Sequence, residues 1–142
     1  MARSVGTSRP VAKVPFWPKL FNETNGQQSP KLTFATGLVD ATERRRLLEI
    51  CLSQDVVYQD PIKDASGREA VMELIADFQE RRPGARINLA SGIDHHHGTL
   101  FYQWKTFGAG GQMLREGIEY GELDTDGRLR CIIGFFGSPP PP

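Results

Sequence analysis

Cysteine is scarce, and the two present, Cys51 and Cys131, sit among aliphatic residues: Cys51 between Ile50 and Leu52, Cys131 ahead of Ile132-Ile133. That is the pattern of two packed thiols in a reducing compartment, so a cytoplasmic location is expected. Net charge is also missing. The 17 Lys and Arg balance the 17 Asp and Glu, so no strong field draws the chain to nucleic acid or to an anionic membrane. No nucleic-acid recognition motif occurs, and no apolar run approaches the length of a membrane span. His95-His96-His97 has no cysteine or further histidine to complete a zinc set, so no metal is expected. Gly108-Ala109-Gly110-Gly111 lacks the Lys-Ser/Thr sequel of a phosphate loop.

What is present is one domain's worth of chain, 142 residues, with uneven patterning. Residues 1–14 hold too little apolar content to fold and read as a disordered lead. The basic residues Arg3, Arg9, Lys13 and Lys19 resemble a transit peptide in charge alone, because Pro10, Pro15 and Pro18 interrupt the helix such peptides need. Residues 15–39 read as a broken helical extension. One short turn carries Phe16, Trp17, Leu20 and Phe21 and ends at Asn25-Gly26; another starts at Ser29-Pro30. Residues 40–137 form the well-patterned domain, and 138–142 a proline tail.

Asp40-Ala41-Thr42-Glu43 predicts a reciprocal capping box before a helix with Leu47, Leu48, Cys51 and Leu52 on one face. Arg44, Arg45 and Arg46 are expected on its solvated side. Ser66-Gly67-Arg68-Glu69 repeats the capping logic ahead of a stripe of Ala70, Val71, Leu74, Ile75 and Phe78, and Arg82-Pro83-Gly84 stops that helix. Between the helices, the apolar strand Val56-Val57-Tyr58 runs into the Asp60-Pro61 step.

From Ala85 the period becomes two, with strands expected at 86–93, 97–107, 112–123 and 128–136. Pairing Phe107 with Gln112 and Leu123 with Arg128 sorts the side chains. One face receives Leu100, Tyr102, Trp104, Arg115, Gly117, Glu119, Ile132, Gly134 and Phe136. The other receives Phe101, Gln103, Leu114, Ile118, Tyr120, Leu129, Cys131, Ile133 and Phe135. Both are apolar enough to need cover. Two helices cover one, so a homodimer through the sheet is expected on the other.

Several pieces, in order, carry a family likeness: Val56-Val57-Tyr58-Gln59-Asp60-Pro61, Gly67-Arg68-Glu69-Ala70, Arg82-Pro83-Gly84 and Ile93-Asp94-His95-His96-His97-Gly98. Trp104, Gly117-Ile118-Glu119, Leu123-Asp124-Thr125-Asp126-Gly127-Arg128 and Gly134-Phe135-Phe136 follow. Residues 40–137 thereby resemble the NTF2-like superfamily, in particular its SnoaL-like and ketosteroid-isomerase-like branch. The resemblance implies an α+β cone, a curved antiparallel sheet wrapped around N-terminal helices, with a deep apolar pocket and no cofactor. It implies that Asp60 is a general base and that Glu119 occupies the position of a second pocket acid. The family's pocket tyrosine has no counterpart; ungapped counting reaches Thr36.

The candidate site is therefore Asp60 and Glu119, with His96 added because its parity matches the pocket face. Each has a bland reading beside the functional one. Asp60 also suits a turn that bonds local amides before proline, and Glu119 an ion pair with Arg115. His96 suits a solvated strand entry. Tyr58, Leu74, Phe78, Tyr102, Trp104, Arg115, Ile132 and Phe136 are expected to line a pocket for a small apolar or aromatic carbonyl-type ligand. Two functions remain open: a cofactor-free isomerase or cyclase working by proton transfer, or a non-catalytic binding or dimerisation module.

Overall fold

The computed structural model describes the backbone of residues 21–24 and 27–30 and the whole of residues 40–142. Strands β1 (Phe21–Thr24) and β2 (Gln27–Pro30) pair antiparallel, with Thr24 opposite Gln27. This corrects the helical reading of Phe21 and of Ser29-Pro30. The sequence between the strands, Asn25-Gly26, is the dipeptide that most favours a two-residue hairpin, and it outweighs a weak helical period. The other expectations for residues 1–39, the disordered lead included, lie outside the described residues.

Helix α1 (Ala41–Cys51) starts as expected, with Asp40 Oδ1 accepting the Glu43 amide at 2.9 Å. The reciprocal half of the box is absent, because Glu43 turns its carboxylate to Arg46 (Nε–Oε2 2.8 Å). Leu47, Leu48 and Cys51 are buried, and β3 (Leu52–Gln59) follows with no intervening turn. After β4 (Asp64–Ser66), α2 (Arg68–Arg81) begins at Gly67, whose φ of 94° favours glycine, and no side chain caps it. The second capping box therefore does not form. Glu69 instead makes a two-point pair with Arg45 of α1, at 2.9 and 2.8 Å. α2 buries Met72 besides Val71 and Ile75, because α1 lies against its other side.

The remaining strands are β5 (Arg86–Leu89), β6 (Asp94–His96), β7 (Thr99–Phe107), β8 (Met113–Leu123) and β9 (Leu129–Phe136). They join β3 and β4 in a seven-stranded sheet of order β4-β3-β9-β8-β7-β5, with β6 also on β7. The architecture is α+β, two helices on a mostly antiparallel sheet. It departs from the expected all-antiparallel sheet in one pair, for β3 runs parallel to β9. The expected strand 86–93 ends early. The Ser91 hydroxyl accepts the Gln103 amide at 2.8 Å, replacing a backbone acceptor. The strand expected from 97 starts at Thr99, since His97 (φ 47°) and Gly98 (φ 76°) form a turn.

The expected hairpin registers are displaced. Phe107 pairs with Met113 and Leu123 with Leu129, each next to a bulge. Beyond the bulges, Tyr102 faces Glu119 rather than Gly117, a shift of two residues. Because side chains alternate with period two, such a shift leaves each residue on its expected face. The bulges themselves break alternation. Leu114 lines the cavity described below and Leu129 is buried in the core, where unbroken alternation would put both on the opposite face.

Leu48, Cys51, Leu52, Val56 and Ile132 are the largest fully buried side chains and belong to the core that packs α1 against the sheet. Among the described residues Cys51 and Cys131 form no disulfide. Among the described residues no helix is long and apolar enough to cross a membrane. Trp104 lies flat across Gly117: a Cβ added there would meet Trp104 Cζ2 at 2.7 Å and the Phe135 carbonyl oxygen closer still. Backbone cannot yield that space, so Gly117→Ala is expected to cost at least the upper part of the ~1–3 kcal/mol typical of overpacking. Urea denaturation of the two proteins measures the loss, and a cost near zero would contradict this packing.

Candidate functional site

Strand β3 delivers two polar side chains from one face, Tyr58 and Asp60, separated by Gln59. Tyr58 stands opposite Ile132 of β9 and lines the concave side. At the strand's end Asp60-Pro61 turns. The Asp60 amide bonds the Lys63 carbonyl at 2.9 Å, and Asp60 Oδ1 accepts the amides of Ile62 and Lys63, both at 2.7 Å. The Tyr58 hydroxyl donates to Oδ2 at 2.6 Å. The turn-forming reading of Asp60 and its place in the site hold together, since three donors orient one carboxylate.

Strand β8 delivers Glu119. Tyr102, directly opposite on β7, donates its hydroxyl to Glu119 Oε2 at 2.9 Å. Oε1 makes no hydrogen bond among the described residues. On the other side Glu119 faces Gly134 of β9, and a Cβ on Gly134 would lie 3.5 Å from Asp60 Cβ. Asp60, Gly134, Glu119 and Tyr102 thus form one row across the concave surface. At roughly 4.8 Å per strand, the Cα atoms of the two acids are ~10 Å apart. The bare α-carbon of Gly134 leaves the space between them empty.

This row borders a cavity of about 670 Å³ between α2 and the sheet, a volume suited to a small organic molecule. Val71, Leu74, Ile75 and Phe78 of α2 form one wall; Trp104, Ile132 and Phe136 form much of the other. Trp104 meets Phe136 edge to face, with centroids 6.1 Å apart. The Arg115 guanidinium lies 4.0 Å from the centre of the Phe136 ring. Arg115 therefore does not make the expected ion pair with Glu119.

The electrostatics follow from burial. Removal from water pushes the Glu119 carboxyl up to about 7, and the Asp60 charge adds to the rise, against the lowering effect of the Tyr102 hydrogen bond. Burial, then the carboxylates beside them, push the Tyr58 and Tyr102 phenols up as well, so both remain donors at neutral pH.

Of the sequence-derived site residues, Asp60, Glu119, Tyr58, Leu74, Phe78, Trp104, Arg115, Ile132 and Phe136 all line the cavity. Tyr102 is buried behind Glu119 and acts on it. His96 is the correction. It pairs with Thr99, so it points away from Leu100 and the concave face, and its exposed ring contacts His97 (Nδ1–Nδ1 3.2 Å). The His97-Gly98 turn resets the parity on which its assignment rested. Among the described residues no three His, Cys, Asp or Glu side chains converge as a metal-binding group would. Sequence reading missed the two tyrosine–carboxylate bonds. Tyr58 and Asp60 at strand spacing i, i+2 was the available signal for one; the other needed the true hairpin register.

No protein-family model matches this chain, and no curated protein matches it. Solved structures do. A SnoaL-like family protein from Agrobacterium tumefaciens, provisionally named an isomerase, superposes with a TM-score of 0.72 at 24% identity, over 76% of this chain and 92% of the other. An NTF2-like protein of unknown function from Exiguobacterium sp. 255-15 gives 0.63 at 13% identity, over 77% and 97%. A SnoaL-like protein from Jannaschia sp. CCS1, provisionally named a polyketide cyclase, gives 0.55 at 14%, over 78% and 91%. The fold is NTF2-like.

Glu119 makes stability depend on pH with a definite sign. Its carboxyl is raised from 4.5 to about 7 in the fold, so the native state holds this proton where the unfolded chain has lost it. Stability from this group is full below the unfolded value, declines as pH rises toward 7, and is level above it. With partial solvent access, the loss is expected to be ~1–3 kcal/mol. Glu119→Gln removes it: in urea denaturation the variant should gain on the wild type by that amount between pH 4.5 and pH 8. A difference constant over this range would show that Glu119 titrates normally.

Proposed function

We propose that this chain binds a small, mostly apolar carbonyl compound and moves a proton at the carbon next to the carbonyl, without a cofactor. The observation that carries the reading is Glu119: a carboxyl raised to about 7, so that it keeps its proton where a free carboxyl has lost it, with Oε1 unengaged, beside a largely apolar cavity and in one row with Asp60 across Gly134. Asp60 Oδ2 retains a lone pair beyond the one that accepts from Tyr58, and it takes the α-proton. The C–H electron pair becomes the enolate double bond, and the negative charge moves to the carbonyl oxygen. Glu119 Oε1–H donates to that oxygen while Oε2 accepts from Tyr102, so Tyr102 strengthens the donor. Return of the proton at another carbon completes an isomerisation. Attack of the enolate carbon on a second carbonyl, whose oxygen then takes the proton, completes an aldol-type cyclisation. The provisional names of the Agrobacterium and Jannaschia neighbours correspond to these two outcomes.

The test is exchange of α-hydrogen for deuterium in D₂O, followed by NMR over a panel of cyclic ketones and polyketide-like phenols. Exchange should fall as pH rises through about 7, when Glu119 loses its proton. Asp60→Asn should cut the rate by ~10²–10⁴. Glu119→Gln, which keeps an N–H donor, should retain part of the rate and lose the pH step. Saturable binding with no exchange would leave the non-catalytic binding module as the function.

The convex face supports self-association. Phe101 and Phe135 are 48% and 57% exposed. Phe101, Tyr120 and Ile133 form one cross-strand row, and Gln103, Ile118 and Phe135 the next. A second copy applied about a twofold axis would cover these rows on both chains. Sedimentation velocity should find a dimer that Phe135→Glu dissociates; a wild-type monomer at all concentrations would refute the pairing.

A further inference from the structure

The charges on the cavity wall are sorted by depth. Its two acids, Asp60 and Glu119, stand in the row described above. Its four cations are Lys63, Arg81, Arg82 and Arg115. Arg81, Arg82 and Arg115 are all exposed to bulk solvent while lining the cavity, which sets them at its mouth. Asp77 engages two of the cations, Arg81 at 2.9 Å and Lys63 at 3.4 Å. Arg82 and Arg115 have no acidic partner among the described ion pairs. The nearest acid in sequence to Arg115, Glu116, points to Lys105 instead. The two arginines come from different elements that the fold draws together at one end. Arg82 closes α2, two residues before Gly84, and a Cβ on Gly84 would meet Ala109 of the β7–β8 turn at 2.9 Å. Arg115 stands opposite Thr106, four residues from the same turn.

Arg82 and Arg115, solvated and without an acidic partner among the described ion pairs, are open to an anionic group carried by a ligand in the cavity. Arginine's planar fork is shaped for carboxylate, and Arg115 is already oriented by its contact with the Phe136 ring. Along β8, Glu119 and Arg115 are four residues apart on one face, ~13 Å at the Cα. We propose that the ligand is amphipathic: a carbonyl-bearing ring system that fills the apolar cavity and carries a carboxylate at the opposite end, held between Arg82 and Arg115. This names the substrate class of the site proposed above and rests on that reading for the placement of the carbonyl.

The experiment compares a matched pair of probes, 6-acetyl-2-naphthoic acid and its neutral methyl ester, by calorimetric titration into the full-length Asp60→Asn protein, so that turnover plays no part. The acid should bind ~10-fold tighter than the ester, and the advantage should shrink in high salt. Arg82→Gln and Arg115→Gln should each reduce acid affinity several-fold and leave the ester unchanged. Equal affinity for acid and ester, failure of both to bind, or equal weakening of both by the arginine variants would overturn the proposal. Loss of deuterium exchange with the acid preference intact would sink proton transfer alone; exchange with no acid preference would sink the carboxylate subsite alone.

Discussion

Two carboxyl groups stand in one row on either side of a residue without a side chain, on the wall of a largely apolar hollow. Burial, and then the Asp60 charge, make ionisation of Glu119 costly there. The fold resolves this by unequal support. Three donors converge on Asp60, two of them backbone amides fixed by the Asp60-Pro61 turn, whereas one phenol reaches Glu119. Glu119, the less supported of the two, is the carboxyl that burial pushes up to about 7. The four supporting donors come from three structural devices: a strand neighbour two residues back, a tight turn that supplies two amides, and a cross-strand partner. The site is thus a product of the whole β3–β9–β8–β7 arrangement.

Much of this was legible in the chain because strand geometry forgives even-numbered errors. The expected registers differ by one residue at both turns and by two beyond the bulges, so Tyr102, Trp104, Gly117, Glu119, Gly134 and Phe136 keep their common face. Odd errors are not forgiven. The bulges carry Leu114 and Leu129 to the concave side, and the His97-Gly98 turn reverses His96. Local signals were weakest where a long-range partner competed. Glu43 and Glu69 satisfy the spacing of a capping box, but each has an arginine within reach, and charge-assisted bonds to those arginines win. The hairpin at Phe21–Pro30 shows the opposite case, a strong dipeptide signal overlooked in favour of a faint helical period.

The likeness to solved NTF2-like structures agrees with the architecture, and at 24% identity or less it speaks to architecture alone. The proposed chemistry therefore rests on particular atoms of this chain. The pocket tyrosine of the ketosteroid-isomerase pattern is absent from its usual place, but phenols are not absent from the site. Tyr58 and Tyr102 reach the two acids from the sheet itself. The same functional group has a different structural origin.

The two sides of the hollow differ in stiffness. The sheet side is a continuous ladder of backbone bonds, with Trp104 seated on Gly117. The opposite side is a single helix, α2, tied to its surroundings by apolar contacts and by surface ion pairs at Glu69 and Asp77 that contribute little rigidity. Under the proposed function, guests of different thickness would be accommodated by displacement of α2, while the acid row on the sheet keeps its spacing. Selectivity for shape and fidelity of that proposed chemistry would then fall to separate walls, and either could change over evolutionary time without disturbing the other.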